Sequence, residues 1–183
     1  TDWYFSIPDS LIGREMLVTV RFTSTPANTE KYGGEMANEQ TIYFEKSPDG
    51  KLQMRARLLV NKADSTDKIN RAIVISNEDP IIASLKIESR VKDMYKVKVT
   101  NLFLEDNAAL NVSSSLKQQL GLQALIMGSS YIESIKTFPM NTEVRTIKTR
   151  MSSGSRTIAS SNTGKVTLGL NVSFVLLPSN PMP

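Results

Sequence analysis

The stretch Val166-Thr167-Leu168-Gly169-Leu170-Asn171-Val172-Ser173-Phe174-Val175-Leu176 decides the fold. Val166, Leu168, Leu170, Val172, Phe174 and Leu176 share one parity, and Thr167, Gly169, Asn171 and Ser173 share the other. Successive side chains of a strand point to opposite faces, so this alternation predicts a strand with one face buried. The same period recurs upstream. Met16, Val18, Val20 and Phe22 alternate with Leu17, Thr19, Arg21 and Thr23. Leu52, Met54, Ala56, Leu58 and Val60 alternate with Gln53, Arg55, Arg57, Leu59 and Asn61. Tyr95, Val97 and Val99 alternate with Lys96, Lys98 and Thr100. A one-residue slip would turn each apolar set toward water, so the register is strongly specified.

Turn residues separate these runs. Ser47-Pro48-Asp49-Gly50 predicts a hairpin between strands at 40–46 and 51–60, with proline presetting φ and glycine taking φ > 0. Residues 90–93 predict a turn between strands at 84–89 and 94–100. Residues 25–36, polar and carrying Gly33-Gly34, read as a loop. The best helix is 113–120, with serines in front and Gly121 behind. Asp79-Pro80 ahead of Ile81-Ile82 is a helix-start signal, and a strand beginning near Ala83 is the alternative. Residues 152–164, rich in Ser, Thr and Gly, read as a mobile loop. The sum is one mainly β domain over residues 1–183. It is antiparallel, sandwich-like or sheet-rich, and carries one to three short helices.

Composition narrows the chemistry. The chain has 183 residues, 40% of them hydrophobic and 22% charged, enough for a sizeable core. It contains no cysteine and no histidine. Disulfides, thiolate nucleophiles, Ser-His-Asp triads and HExxH zinc sites therefore cannot be built from these residues. Carboxylate chemistry remains open. The net charge is +4, with the lysines and arginines scattered along strands. Nucleic-acid binding calls for basic residues clustered with aromatics, so no nucleic-acid partner is expected. No apolar run reaches membrane-spanning length. The first residues, Thr1-Asp2-Trp3-Tyr4, read as the start of a fragment or a processed chain.

Several short features bear on chemistry. Glu105-Asp106, and Glu30 with Glu35, are paired carboxylates that could hold a hard cation, but they lack EF-hand spacing, and solvated turn charge is the simpler account. Gly33-Gly34 lacks the Gly-Lys-Ser/Thr of a phosphate loop. Asn111-Val112-Ser113 and Asn171-Val172-Ser173 match the glycosylation sequon by chance. Trp3, Tyr4 and Phe5 form either a stacking surface or the core anchor of a first strand, and the anchor is favoured. Tyr131, Glu133, Glu143 and Arg145 are the candidate domain-interface residues. They lie in a stretch that mixes polar and apolar groups, where they form a buried polar network, a salt-bridged sheet face or a surface facing a neighbouring domain.

This stretch also carries a resemblance. Ser130-Tyr131-Ile132-Glu133-Ser134-Ile135 followed by Pro139-Met140-Asn141-Thr142-Glu143-Val144-Arg145-Thr146 resembles the signature of a β-rich domain of unknown function. That domain precedes the catalytic domain in large secreted zinc-dependent metalloproteases of Bacteroides-type bacteria. Asp2 to Pro8 with Leu11 to Glu15, Gly33-Gly34-Glu35 through Asn38-Glu39-Gln40, Ser76 to Ile81, and Leu176-Leu177-Pro178 resemble its other blocks in order. The resemblance implies a peptidase domain with an HExxH zinc site after Pro183, and a periplasmic, outer-membrane or secreted location. Zinc is expected there, and no cofactor in this chain. The chain is then a non-catalytic accessory domain whose partner is the peptidase domain of the same polypeptide. A cell-surface glycan- or protein-binding module is the alternative, and an independent carboxylate hydrolase is a distant third.

Overall fold

The computed structural model describes residues 1–58, 78–154 and 157–179. Among these residues the chain forms eleven strands, three short α-helices and three single 3-10 turns. The strands are β1 (Tyr4–Pro8), β2 (Met16–Ser24), β3 (Met36–Lys46), β4 (Leu52–Ala56), β5 (Ile81–Leu85), β6 (Ile87–Val91), β7 (Met94–Lys98), β8 (Leu122–Leu125), β9 (Tyr131–Thr137), β10 (Asn141–Ser152) and β11 (Lys165–Leu176). The helices are α1 (Thr100–Leu104), α2 (Ser114–Leu120) and α3 (Ile158–Thr163). The mainly β, antiparallel expectation holds.

The large sheet runs β5-β4-β3-β2-β11-β10-β8, with β9 also pairing on β10. A small sheet, β1-β7-β6, packs on its inner face. Val166, Leu168, Leu170, Val172 and Phe174 of β11 are all buried, as are Met16, Val18, Val20 and Phe22 of β2 beside them. Each such side chain contributes about 1.5–3 kcal/mol by leaving water. Three phenylalanines tie the layers together. Phe5 of β1, Phe103 of α1 and Phe174 of β11 meet edge to face, with ring centroids 5.7–6.1 Å apart.

Local signals account for the punctuation. The β3–β4 hairpin turns at Ser47–Gly50, with Gly50 at φ 82° and the Ser47 N–H donating to Lys51 O. Ser113 caps α2 by accepting from Leu116 N, and Gly121 closes it in the left-handed region at φ 66°.

Four expectations are corrected. Residues 84–89 are not one strand: the chain passes from β5 in the large sheet to β6 in the small one at Lys86. Leu85 and Ile87 on either side keep apolar side chains against the core, so the chain changes sheets without exposing them. Asp79-Pro80 precedes a strand, because Met54 and Arg55 offer ladder partners to Ala83 and Ile81. Leu58 is 51% exposed, because β4 ends at Ala56; Val60 lies outside the described residues. Finally, 152–164 is not simply a loop. Thr157 and Ser160 form a reciprocal capping box that starts α3, and Gly164 ends it at φ 70°.

Candidate functional site

The predicted interface residues come together at one end of the large sheet. Strand β9 pairs with β10 in the register Glu143–Lys136, Arg145–Ser134 and Ile147–Tyr131. The register shifts between Arg145 and Thr146, which leaves Glu133 as the extra residue of a β-bulge. Val144 and Thr146 point into the core, so Glu143 and Arg145 point outward. Tyr131 is 55% exposed, and Glu133 and Arg145 are exposed. Neither Glu133 nor Arg145 has a hydrogen-bond or ion-pair partner among the described residues, while Glu143 Oε1 accepts from Asn141 Nδ2 at 3.3 Å. The buried-network and salt-bridged readings do not hold, because strand parity turns Glu143 and Arg145 outward, the bulge leaves Glu133 exposed, and no ion pair joins them among the described residues. What remains is an exposed face. Phe138 and Met140 at the β9–β10 turn, Met127 before β9 and Met151 on β10 are exposed as well.

The opposite face of β10 holds a site that sequence reasoning missed. Lys148 and Arg150 share the inward parity of Val144 and Thr146, and each is only 1% exposed. That shared parity was the available signal. Arg150 Nη2 donates to Asp106 Oδ1 at 2.6 Å and Nη1 donates to Asp106 Oδ2 at 3.0 Å, a bidentate pair. Nη1 also donates to Gln123 O at 3.0 Å. Lys117 Nζ approaches Asp106 Oδ1 at 3.9 Å. The Lys148 Nζ donates to the main-chain carbonyl of Phe103 in α1. Burial pushes the Lys148 amine down to about 8, and the Arg150 charge beside it adds to the shift. The Arg150 hydrogen bonds, more than any other contact, hold the Asp106 carboxyl below the usual carboxylate range.

An amine with a lowered pKa is the chemistry of base and Schiff-base lysines. Here the amine is held against a backbone carbonyl, and Lys148 is buried among the described residues. The arrangement instead fastens α1, and Asp106 behind it, onto β10.

The remaining candidates disperse. Glu105 faces a polar surface hollow while its neighbour Asp106 turns to Arg150. Glu35 pairs with Lys31 at 3.3 Å. Glu30 sits at φ 58° and takes no part in that pair. Among the described residues no three carboxylates are grouped to hold a metal ion, and no helix is long and apolar enough to cross a membrane. Trp3 is partly buried, its main-chain N–H donating to Thr100 Oγ1 at 2.7 Å. Phe5 is in the aromatic triad, and Tyr4 is exposed beneath the Lys96 ammonium, 4.4 Å from its ring centroid.

The family described as Domain of unknown function (DUF5117) matches residues 34–183. The match covers most of the chain, and the chain belongs to that family. The matched residues include Tyr131, Glu133, Glu143, Arg145 and the Lys148–Arg150–Asp106 cluster. Strand β1 and all of β2 precede the matched stretch, although β2 sits between β3 and β11 in the large sheet. Among curated proteins, none matches the chain.

Proposed function

We propose that this DUF5117 domain is a non-catalytic accessory module that docks on a zinc-dependent peptidase domain of the same polypeptide, in a secreted or periplasmic protein. The observation that carries this reading is the outer face of β9–β10. It exposes Tyr131, Phe138 and Met140, and presents Glu133 and Arg145 with no partner among the described residues. Aromatic, methionine and arginine side chains are the types enriched where proteins meet. The peptidase as partner rests on the sequence resemblance. The absence of histidine and cysteine argues against transition-metal or thiol catalysis by this chain. The buried cations support the reading too, because their contacts are structural. The domain needs no cofactor of its own.

This chain has no cysteine of its own to compete with an introduced one. Tyr131→Cys and Arg145→Cys in the full-length polypeptide are each labelled with a benzophenone maleimide and irradiated. Val91→Cys, on the exposed tip of β6, is the control. Cross-links from positions 131 and 145 into the peptidase domain, absent at 91, are expected. Equal yields at all three positions, or none, would overturn the reading. Glycan stacking on Trp3-Tyr4-Phe5 is the weaker alternative, since only Tyr4 is exposed and its ring already carries Lys96.

A further inference from the structure

Among the described residues the small sheet has three strands against the eight of the large one. Strand β1 pairs only with β7, so its other side is a free edge among the described residues. A cleft of about 400 Å³ runs along that edge, lined by Tyr4, Phe5, Ser6 and Ile7 in succession. A strand seen only face-on contributes alternate residues; four in a row mean that the cleft reaches its hydrogen-bonding side, and Leu11, Met16 and Met94 line it toward the end of β1. Phe174 and Phe44 lie at the floor, and Ile135, Thr137 and Thr142 form the far bank. Ile135 pairs with the buried Val144, and Thr137 with Thr142, so these three belong to the inner face of the large sheet. Among the described residues no strand lies above that part of the inner face.

The backbone of β1 is arranged to accept one. Val99 N donates to Trp3 O, and Asp9 N donates to Asp93 O. With Phe5 opposite Val97 and Ile7 opposite Tyr95, positions 3, 5, 7 and 9 form the ladder to β7. The N–H and C=O groups of Tyr4 and Ser6 therefore point to the free side. Pro8, which has no N–H, shares their parity, at which proline leaves the ladder intact. Sheet edges are normally protected by charge. The other edge of the same small sheet follows that rule, with Glu88 and Arg90 exposed on β6. Strand β1, Tyr-Phe-Ser-Ile-Pro, carries no charge at all.

We propose that the free edge of β1 is a docking site for an extended peptide segment, apolar at alternate positions, which adds as a fourth strand to the small sheet. Main-chain bonds to Tyr4 and Ser6 would hold it. Its inward side chains fill the cleft over Phe174 and Ile135, completing the second layer. Its outward positions run beside Tyr4 and the Lys96 ammonium, which favours an acidic residue there. This site lies on the inner side of the large sheet and is independent of the outer β9–β10 face.

The test uses a panel of acetylated, amidated heptapeptides with valine, isoleucine or phenylalanine at alternate positions and threonine or glutamate between them. Binding is followed by amide NMR shifts and hydrogen exchange. At least one peptide should slow exchange at Tyr4 and Ser6. N-methylation of its β1-facing amides should weaken binding at least tenfold. Ser6→Pro removes an outward N–H without touching the β7 ladder and should abolish binding with the melting temperature unchanged. Thr142→Trp, which fills the cleft from the far bank, should do the same should Ser6→Pro fail to fold. Overturning results are a panel with no effect at Tyr4 and Ser6, or binding that survives both N-methylation and Thr142→Trp. Protection that grows with protein concentration in the absence of peptide would assign the edge to a second copy and overturn the proposal as stated. Cross-linking from Tyr131→Cys is blind to all these variants, so the two readings fail separately.

Discussion

Arg150, 1% exposed on the inner face of β10, is held by both oxygens of Asp106, 44 positions earlier in the chain. Removing one partner of such a pair leaves a buried charge unsatisfied, which costs more than the pair itself contributes. Asp106→Ala should destabilise the domain by about 3 kcal/mol, the lower end for buried pairs because Asp106 is partly exposed. Urea unfolding at pH 7 measures it. A loss under 1 kcal/mol would mean that water or Gln123 O satisfies Arg150 alone.

The same pair sets an acid limit. The folded Asp106 carboxyl titrates below its unfolded value of about 3.9. Its contribution is present above that unfolded value and is lost as pH falls through the lower folded one. Asp106→Asn should therefore flatten part of the stability loss below pH 4. Urea midpoints of the two proteins compared between pH 5 and pH 2.5 report it. Parallel curves would dissociate the acid limit from this residue.

Lys148 behaves in the opposite range. Its folded pKa of about 8 lies below the unfolded value of about 10.4, so the unfolded chain binds more protons between them. Stability should rise as pH climbs from about 8 to about 10. Lys148→Met removes a buried charge while keeping the volume. It should be neutral or stabilising at pH 7, by up to about 3 kcal/mol, and should abolish that rise. A clear destabilisation at pH 7 would show that the bond to Phe103 O outweighs the desolvation.

Gly169 marks a tight crossing between β11 and β2. A Cβ there would meet Ser24 Oγ at 2.6 Å and Ser24 N at 3.2 Å, as well as the Thr23 hydroxyl. The register of these strands already shifts at this point. Gly169→Ala should cost about 1–3 kcal/mol through overpacking, read by thermal melts. An unchanged melting temperature would mean that the Thr23 and Ser24 rotamers simply move aside.

The capping box of α3 is separable from the core. Thr157→Ala removes the acceptor for Ser160 N, bonded at 2.9 Å. The loss should be about 1 kcal/mol. Hydrogen exchange should quicken in 158–163 and leave β11 protected. Uniform loss of protection would make α3 part of the global unfolding unit.

Much of this architecture was legible along the chain. Alternation at Val166 to Phe174 and Met16 to Phe22 named the buried face. Ser47–Gly50 named the hairpin, and Ser113 with Gly121 bounded α2. These signals are local, because backbone geometry imposes the period and turn chemistry ends it. Other decisions were not local. Tyr131, Glu133, Glu143 and Arg145 could be placed in one stretch, but only strand pairing with a bulge at Glu133 showed that they face outward. Lys148 and Arg150 carried the inward parity of Val144, yet a lysine or arginine reads as surface until a distant acceptor is found. Phe103 O and Asp106 became those acceptors only when α1 folded back over β10. The handover from β5 to β6 at Lys86, and the free edge of β1 among the described residues, likewise belong to the way two sheets meet. Periodicity along a chain determines which side chains are buried; which groups they meet depends on contacts between residues far apart in sequence, and only the tertiary structure sets those.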